Sequence, residues 1–213
     1  IDEYDKPLLQ NLHDEEMQNR FRNMLKPFYG VLKTMDRAIR FALLTGVTKF
    51  GKVSVFSDLN NLDDISMREP YAAICGITET ELRTHFDEDI HTLASALERT
   101  YEEARSLLRK RYDGYHFVAG GPGIYNPFSL LNTFKYMRLS DYWFETGTPT
   151  YLVELLKRTN YDLYDMANTE TDADVLNSID SASNNPIPVL YQSGYLTIKD
   201  YEPEFKLSLI HIS

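Results

Sequence analysis

The sequence is poor in cysteine and histidine and has no long apolar run. Its 213 residues include one cysteine, Cys75, and five histidines. A single cysteine excludes an intrachain disulfide framework, and without a cysteine pair the chain has too few ligands for a structural zinc site. No apolar run approaches the roughly 18 residues of a membrane span, and no secretory signal opens the chain. These absences predict a reduced, cytoplasmic protein without a membrane segment.

Positive charge is also scarce. The chain has 22 Lys and Arg against 32 Asp and Glu, a net charge of −10. This balance opposes broad electrostatic attachment to nucleic acid, although small basic clusters remain. The hydrophobic fraction of 43% is ordinary for a globular chain, and the aromatic residues are mainly 15 Tyr and 11 Phe. The length predicts one large domain or two small ones.

The two ends predict an internal fragment of a longer protein. No initiator Met is present, and the chain starts inside the motif Ile1-Asp2-Glu3-Tyr4-Asp5. Residues 207–213 back-translate to codons that resemble the transposase adapter of sequencing libraries. We therefore expect an adapter-derived tail at 207–213, with a genuine apolar strand as the alternative.

Hydrophobic spacing predicts a mainly helical chain with a few short strands. Residues 39–46 form a short apolar run closed by Gly46, which predicts a buried parallel strand. A helical turn followed by a hairpin near the end suits a winged-helix module. The predicted elements are a helix over 14–35 with a kink or a break at Pro27, a capped helix from Glu79, a long helix over 87–111, helices beginning at Pro127 and Pro149, a helical turn over 188–192, and a hairpin over 195–198 and the segment after Asp200.

The pair Asp2-Glu3 follows the apolar Ile1, the pattern of a Walker B motif. In P-loop ATPases the aspartate holds Mg²⁺, usually through water, and the following glutamate polarises the attacking water. Both acids then lie at the carboxyl end of a parallel strand, where an open α/β sheet has its crevice. The alternative is a solvated pair of surface acids.

Residues 46–53 have the spacing of a phosphate-binding loop, G-x-x-x-x-G-K, but end on Val53. Valine lacks the hydroxyl that this loop uses to bind Mg²⁺. We therefore interpret the segment as the end of the preceding strand, with Thr45, Thr48 and Lys49 near the crevice.

Six motifs in order make the sequence resemble the AAA-ATPase-like proteins of gut Bacteroidetes, many of which carry a C-terminal PD-(D/E)XK nuclease-superfamily domain. The family's phosphate-binding loop precedes the region matched here, and the nuclease-like domain follows it. The motifs are Ile1–Pro7, Leu44–Phe50, Phe56–Leu62, Tyr112–Phe117, Tyr125–Ser129 and Tyr142–Pro149.

The resemblance implies an α/β fold, the C-terminal half of a P-loop NTPase core with a parallel sheet, followed by a mainly helical lid and a winged-helix-like module. The implied divisions are the ATPase-like core over 1–70, the helical lid or linking region over 71–147, the winged-helix-like module over 148–206, and the tail over 207–213.

The resemblance also implies site residues and cofactors. Asp2 would be the acid on the Mg²⁺ side, and Glu3 the catalytic base. Thr45 would stand in the sensor-1 position, where a polar side chain reads the γ-phosphate, and Lys49 would be a second nucleotide contact. ATP and Mg²⁺ are then the expected ligands, and without the phosphate-binding loop we expect this chain alone to be inactive.

A non-catalytic interaction module is the alternative function, with the helical and winged-helix-like regions binding protein or nucleic acid. The aromatic residues Tyr112, Tyr115, Phe117 and Tyr125 are expected to pack the helical region, with nucleotide or partner contact as their alternative role. A nuclease in this chain is not expected, because no Asp…Glu-x-Lys strand pattern occurs.

Overall fold

The computed structural model describes residues 1–11, 14–49, 55–142, 153, 156–157, 170–177, 185–202 and 207–212. The helices of four or more residues are α1 (Lys6–Leu9), α2 (Glu15–Thr34), α3 (Glu79–His85), α4 (Asp87–Ala96), α5 (Tyr101–Tyr112), α6 (Pro127–Tyr136), α7 (Ala173–Asn177) and α8 (Ile187–Gln192). Two 3₁₀ turns cover Asp36–Ala38 and Glu69–Tyr71. The strands are β1 (Ile77–Thr78), β2 (Ile124–Tyr125), β3 (Glu170–Asp172), β4 (Leu196–Glu202) and β5 (Leu207–Ile212).

The chain divides into two compact units. The first comprises residues 1–64 and 149–196, and the second comprises residues 65–148 and 197–213. Each unit has its own cluster of buried apolar side chains among the described residues. The predicted divisions at 70 and 147 stay a prediction.

Helix α2 organises the core of the first unit. Asp14 begins it by accepting a hydrogen bond from the Met17 backbone N–H at 2.9 Å, which satisfies a donor that the helix itself cannot. The helix continues through Pro27, so the predicted helix over 14–35 is confirmed, and Pro27 does not end it. Its inner face packs Tyr29 with Leu8 and Leu9 of α1.

The predicted buried strand over 39–46 is not formed. Residues 41–46 have no regular secondary structure, and the Phe41 and Leu43 side chains are 79% and 44% exposed. The Ile1 amino group donates to the Leu43 carbonyl at 2.8 Å, and the Thr45 N–H donates to the Ile1 carbonyl at 2.8 Å. These two bonds have the pattern of one step in a parallel ladder. A single step leaves the outer apolar side chains uncovered, which explains why the prediction of burial is wrong.

Helices α3 to α6 form the core of the second unit. Their apolar faces meet in one cluster whose fully buried members include Leu82, Ile90, Leu93, Leu108 and Leu130. Two capping boxes begin α3 and α5, with Thr78 and Thr100 as the N-caps. The box at Thr78 and the start of α6 at Pro127 confirm the sequence prediction.

The predicted helix over 87–111 is two helices, α4 and α5. The chain turns at Glu98, whose φ of +54° is left-handed, and the Arg99 N–H closes the turn on the Ala94 carbonyl at 2.9 Å. The capping box of Thr100 and Glu103 then begins α5. The predicted apolar face is confirmed on both sides of the turn, because Leu93 and Leu108 belong to the same cluster.

The C-terminal elements match the prediction in part. Helix α8 covers the predicted turn, and Gly194 follows it with a left-handed φ of +82°. The hairpin predicted from 195–198 and the segment after Asp200 is not formed in that register, because β4 continues through Lys199 and Asp200, where the turn was expected. The neighbour of β4 in the sheet is instead β5, which lies in the expected tail. The helix predicted at Pro149 begins outside the described residues. The winged-helix-like module and the parallel sheet of a P-loop core stay predictions, and the pairing of β1 with β2 is antiparallel.

No helix in the described ranges is both long enough and apolar enough to cross a membrane.

Candidate functional site

The N-terminal segment lies against the loop of residues 44–49, which we call the 45-loop. The Thr45 hydroxyl donates a hydrogen bond to the Asp2 carboxylate, and both residues are exposed. The Tyr4 N–H donates to the Thr45 carbonyl at 2.9 Å. Two residues predicted from the sequence to share a site are thus in direct contact, although they are 43 positions apart in the chain.

Glu3 touches this contact through its backbone, whose N–H donates to the Thr45 hydroxyl at 3.4 Å, while its carboxylate pairs with Lys6. Its φ of +50° is left-handed, a conformation that costs energy for a residue with a Cβ. Its carboxylate lies 2.6 Å from the Lys6 Nζ, and both side chains are about half exposed. The hydrogen bond to Glu3 raises the pKa of Lys6. An exposed ion pair of this kind holds its partners weakly, so the Glu3 carboxylate remains accessible to water.

Lys49 is hydrogen-bonded to other residues of the first unit, namely Asp64, Asn177 and Gln192. Its Nζ lies 2.7 Å from the Asp64 carboxylate and also donates to the Asn177 side-chain oxygen. Its backbone N–H donates to the Gln192 side chain at 2.7 Å. With 12% of its side chain exposed, Lys49 joins the 45-loop to α7 and α8. Its role as a nucleotide contact stays a prediction.

Asp5 is the residue of this region that the sequence reasoning missed. Its side chain is fully buried, and its carboxylate accepts from the Val47 N–H at 3.0 Å and the Thr48 N–H at 2.7 Å. The Thr48 hydroxyl donates a third hydrogen bond at 3.0 Å. Burial raises the pKa of Asp5, and these hydrogen bonds only partly oppose it. The one signal in the sequence, an Asp before Lys6-Pro7, indicates a helix cap, yet the Asp5 side chain makes no capping bond.

Gly46 allows the close approach between the 45-loop and the N-terminal segment. A Cβ at this position would lie 2.6 Å from Tyr4 Cε1 and 2.8 Å from Asp5 Oδ1, closer than atoms can pack. The Tyr4 hydroxyl also donates to the Thr48 carbonyl at 3.1 Å. Only glycine therefore fits this packing without a shift of its neighbours.

In the second unit, Tyr112 and Tyr125 of the predicted motifs pack within the helical cluster. The buried Tyr112 donates from its hydroxyl to the Ser140 carbonyl at 2.8 Å, and the Tyr125 hydroxyl donates to Glu79. Arg105 lies 2.6 Å from the same Glu79 carboxylate. Burial opposes the ionisation of Glu79, but the hydrogen bonds from Tyr125 and Arg105 outweigh it and lower the pKa. Both hydroxyls have protein partners, which favours the packing role.

The chemistry of the Asp2 and Thr45 pair suits a cation that also binds phosphate. Mg²⁺ uses one or two carboxylates together with phosphate oxygens and water, rather than a full cage of protein ligands. Asp2 offers an exposed carboxylate and Thr45 a hydroxyl beside it. Across the described part of the chain, no group of three or more His, Cys, Asp or Glu residues could hold a metal ion by itself.

Comparison with known proteins finds a relative that matches most of the chain and a family model that matches its N-terminal region. A protein of Azotobacter chroococcum mcd 1, described as "Uncharacterized protein in vnfD 5'region", is 40% identical over 198 residues. The match covers 93% of this chain and 36% of that protein, so the chain spans about a third of its relative's length. No solved structure matches. Residues 1–56, which contain Asp2, Glu3, Thr45 and Lys49, match the family model "Predicted AAA-ATPase", and this match supports the AAA-ATPase-like family.

Proposed function

We propose that this chain supplies the hydrolytic half of an ATP site in a longer AAA-ATPase-like protein. One observation carries the proposal: the Thr45 hydroxyl is hydrogen-bonded to Asp2 within the region that matches the predicted AAA-ATPase family. A merely solvated pair of acids has no need of a polar partner 43 residues away. The single step of parallel pairing between Ile1 and the 45-loop segment further supports a parallel sheet.

The proposed roles follow from the chemistry of each group. Asp2 would hold Mg²⁺, usually through water, and Mg²⁺ would neutralise charge on the phosphates. Glu3 would orient the attacking water after release from Lys6. Thr45 would contact the γ-phosphate, and Lys49 would act on nucleotide through the position of the 45-loop.

The phosphate-binding loop is part of the longer protein in this proposal. No G-x-x-x-x-G-K-[ST] sequence occurs in the 213 residues. Most of the affinity for ATP comes from that loop, so the chain alone is expected to bind ATP weakly and to leave it unhydrolysed. A nuclease-superfamily domain after this region, and a cytoplasmic location, are further parts of the proposal.

Replacing Glu3 in the longer protein tests the proposal. The Glu3→Gln variant should retain bound ATP and lose turnover, because the amide cannot polarise the water. Glu15→Gln is a matched control, because Glu15 is an exposed acid in the first turn of α2. ATP retention and phosphate release are measured for both. Unchanged phosphate release in Glu3→Gln would remove Glu3 from the mechanism.

A protein-binding module is the second candidate, and helix α6 favours it. Its Phe128, Leu131 and Tyr136 side chains are 48%, 51% and 58% exposed. Phe128 and Leu131 are three positions apart and so share one face of the helix, and an exposed apolar face is typical of a contact surface. Titration of the chain with duplex DNA at low and high salt separates the two kinds of partner. Tight binding that weakens steeply with salt would indicate nucleic acid, whereas weak binding at both salt concentrations would favour a protein contact.

A further inference from the structure

Asp5 is a buried carboxylate for which the proposed hydrolysis has no use. It is fully buried, and it accepts hydrogen bonds from two consecutive backbone N–H groups and one hydroxyl, all from Val47 and Thr48. Removing an acid from water is costly unless its oxygens are satisfied. Its three hydrogen bonds fix the backbone of the residues that donate them.

Asp5 holds Val47 and Thr48, which follow Thr45 in the chain after one intervening residue. Gly46 is the intervening residue, and no side chain could be placed there without meeting Tyr4 and Asp5. The Thr45 backbone is fixed before the glycine by Ile1 and Tyr4. Asp5 fixes the backbone after it, so the glycine is anchored on both sides.

The five-residue stretch Ile1–Asp5 thus contacts the 45-loop at two points. Asp2 accepts from the Thr45 side chain, and Asp5 accepts from Val47 and Thr48. Between the two, the Tyr4 ring and the Asp5 carboxylate occupy the space beside Gly46. The contacts of Asp5 thus lie two and three residues after Thr45, whose hydroxyl donates to Asp2.

We propose that Asp5 is a positioning residue, which holds the 45-loop so that the Thr45 hydroxyl stays on Asp2. The proposal concerns the site described above, and its effect on turnover rests on the proposed function. Asp5 touches neither metal nor nucleotide in this role. It acts through the loop, in the way that outer hydrogen bonds orient the groups that touch a ligand.

The geometric part is tested on the 213-residue chain by NMR. In Asp5→Asn the amide can accept through one oxygen only, so the Val47 and Thr48 amides should exchange faster with solvent, and the nuclear Overhauser effect between the Thr45 methyl and Asp2 β protons should disappear. Asp14→Asn is the matched control, because Asp14 also accepts from a backbone N–H but does so at the start of α2. An intact Thr45–Asp2 signal in folded Asp5→Asn would overturn the proposal.

A milder pair of variants covers the case in which Asp5→Asn does not fold. Thr48→Val removes only the third hydrogen bond, and Thr48→Ser keeps it. Thr48→Val should weaken the Thr45–Asp2 signal, and Thr48→Ser should restore it. Equal signals in the two variants would contradict the role of this carboxylate in holding the loop.

The catalytic part is tested on the longer protein with Mg²⁺ and ATP. Asp5→Asn should lower kcat by about 10- to 100-fold while KM for ATP changes little, because the phosphate-binding loop is untouched. A rise in KM for ATP of this size, with kcat unchanged, would contradict the positioning role of Asp5. If the wild-type protein does not hydrolyse ATP, the proposed function fails, whereas the NMR result on the chain still decides whether Asp5 holds the loop.

Discussion

The 45-loop and the helical cluster of the second unit are stabilised in opposite ways. The cluster buries leucines such as Leu93 and Leu108, and its backbone is satisfied by helical hydrogen bonds and capping boxes. The 45-loop has no regular secondary structure to satisfy its N–H groups, so the Asp5 carboxylate does it. Apolar packing tolerates small shifts, whereas hydrogen bonds to a buried carboxylate fix one geometry. The difference indicates that the contacts of the 45-loop mainly fix the positions of its residues, whereas the contacts of the cluster mainly stabilise the fold.

Removing a core leucine should have the largest effect on stability. Leu108→Ala in α5 leaves a cavity in the cluster and should lower the free energy of unfolding by about 2–5 kcal/mol. Leu107→Ala is the control on the same helix, since Leu107 is 37% exposed, and it should cost less than about 1 kcal/mol. Urea denaturation followed by circular dichroism measures both. Equal losses of unfolding free energy in the two variants would mean that the cluster is not the main source of stability in this unit.

Adding a methyl group at Gly46 should break the loop without touching the cluster. Gly46→Ala places a Cβ against Tyr4 and Asp5 and should cost about 1–3 kcal/mol. Gly30→Ala is the matched control, because its Cβ would meet nothing within 4 Å inside α2. There, replacing glycine in a helix should stabilise by up to about 1 kcal/mol. Thermal denaturation shows whether each substitution raises or lowers the melting temperature. A higher melting temperature for Gly46→Ala would contradict the close packing at this position.

Removing a helix cap should weaken the second unit moderately. Thr100→Ala removes the hydroxyl that accepts from the Glu103 N–H and should cost about 1 kcal/mol. Thr92→Ala serves as the control, because its hydroxyl bonds to the Glu88 carbonyl within α4 and satisfies no free N–H. Urea midpoints compare the two variants. A larger loss in Thr92→Ala would argue against the cap as the reason that α4 and α5 are separate helices.

The contributions of Asp5 and Glu79 to stability should change with pH in opposite directions. This is the smallest of the predicted effects. The raised pKa of Asp5 means that its linkage stabilises the folded state below the ordinary value of 3.8 and that this stabilisation is lost as pH rises through the raised pKa. The lowered pKa of Glu79 means that its stabilisation is present above 4.5 and is lost as pH falls through the lowered pKa. Carbon-13 NMR titration of the two carboxyl groups should give midpoints on opposite sides of these values. Midpoints shifted in the same direction would contradict the comparison.

Local signals in the sequence predicted the helical region well, because caps and apolar spacing act over a few residues. Thr78 with Glu81 marked the start of α3, and Pro127 marked the start of α6. The turn at Glu98 was missed, because the apolar spacing of 87–111 runs across it without a break.

The candidate site was predictable only in part. The contact of Asp2 with Thr45 followed from motif order, whereas the role of Asp5 depends on backbone groups more than 40 residues away, which no local pattern encodes. The exposure of Phe41 was likewise beyond prediction, since it depends on which elements lie beside residues 41–46 rather than on their own composition.

The central claim is that Asp2, Glu3 and Thr45 form the hydrolytic half of an ATP site whose other half lies earlier in the protein. Sequencing the native gene upstream of the Ile1 codon tests it most directly. The account predicts a G-x-x-x-x-G-K-[ST] motif within about 150 residues before Ile1, between a short apolar strand and a helix. An upstream reading frame without such a motif would contradict the claim and favour the protein-binding module.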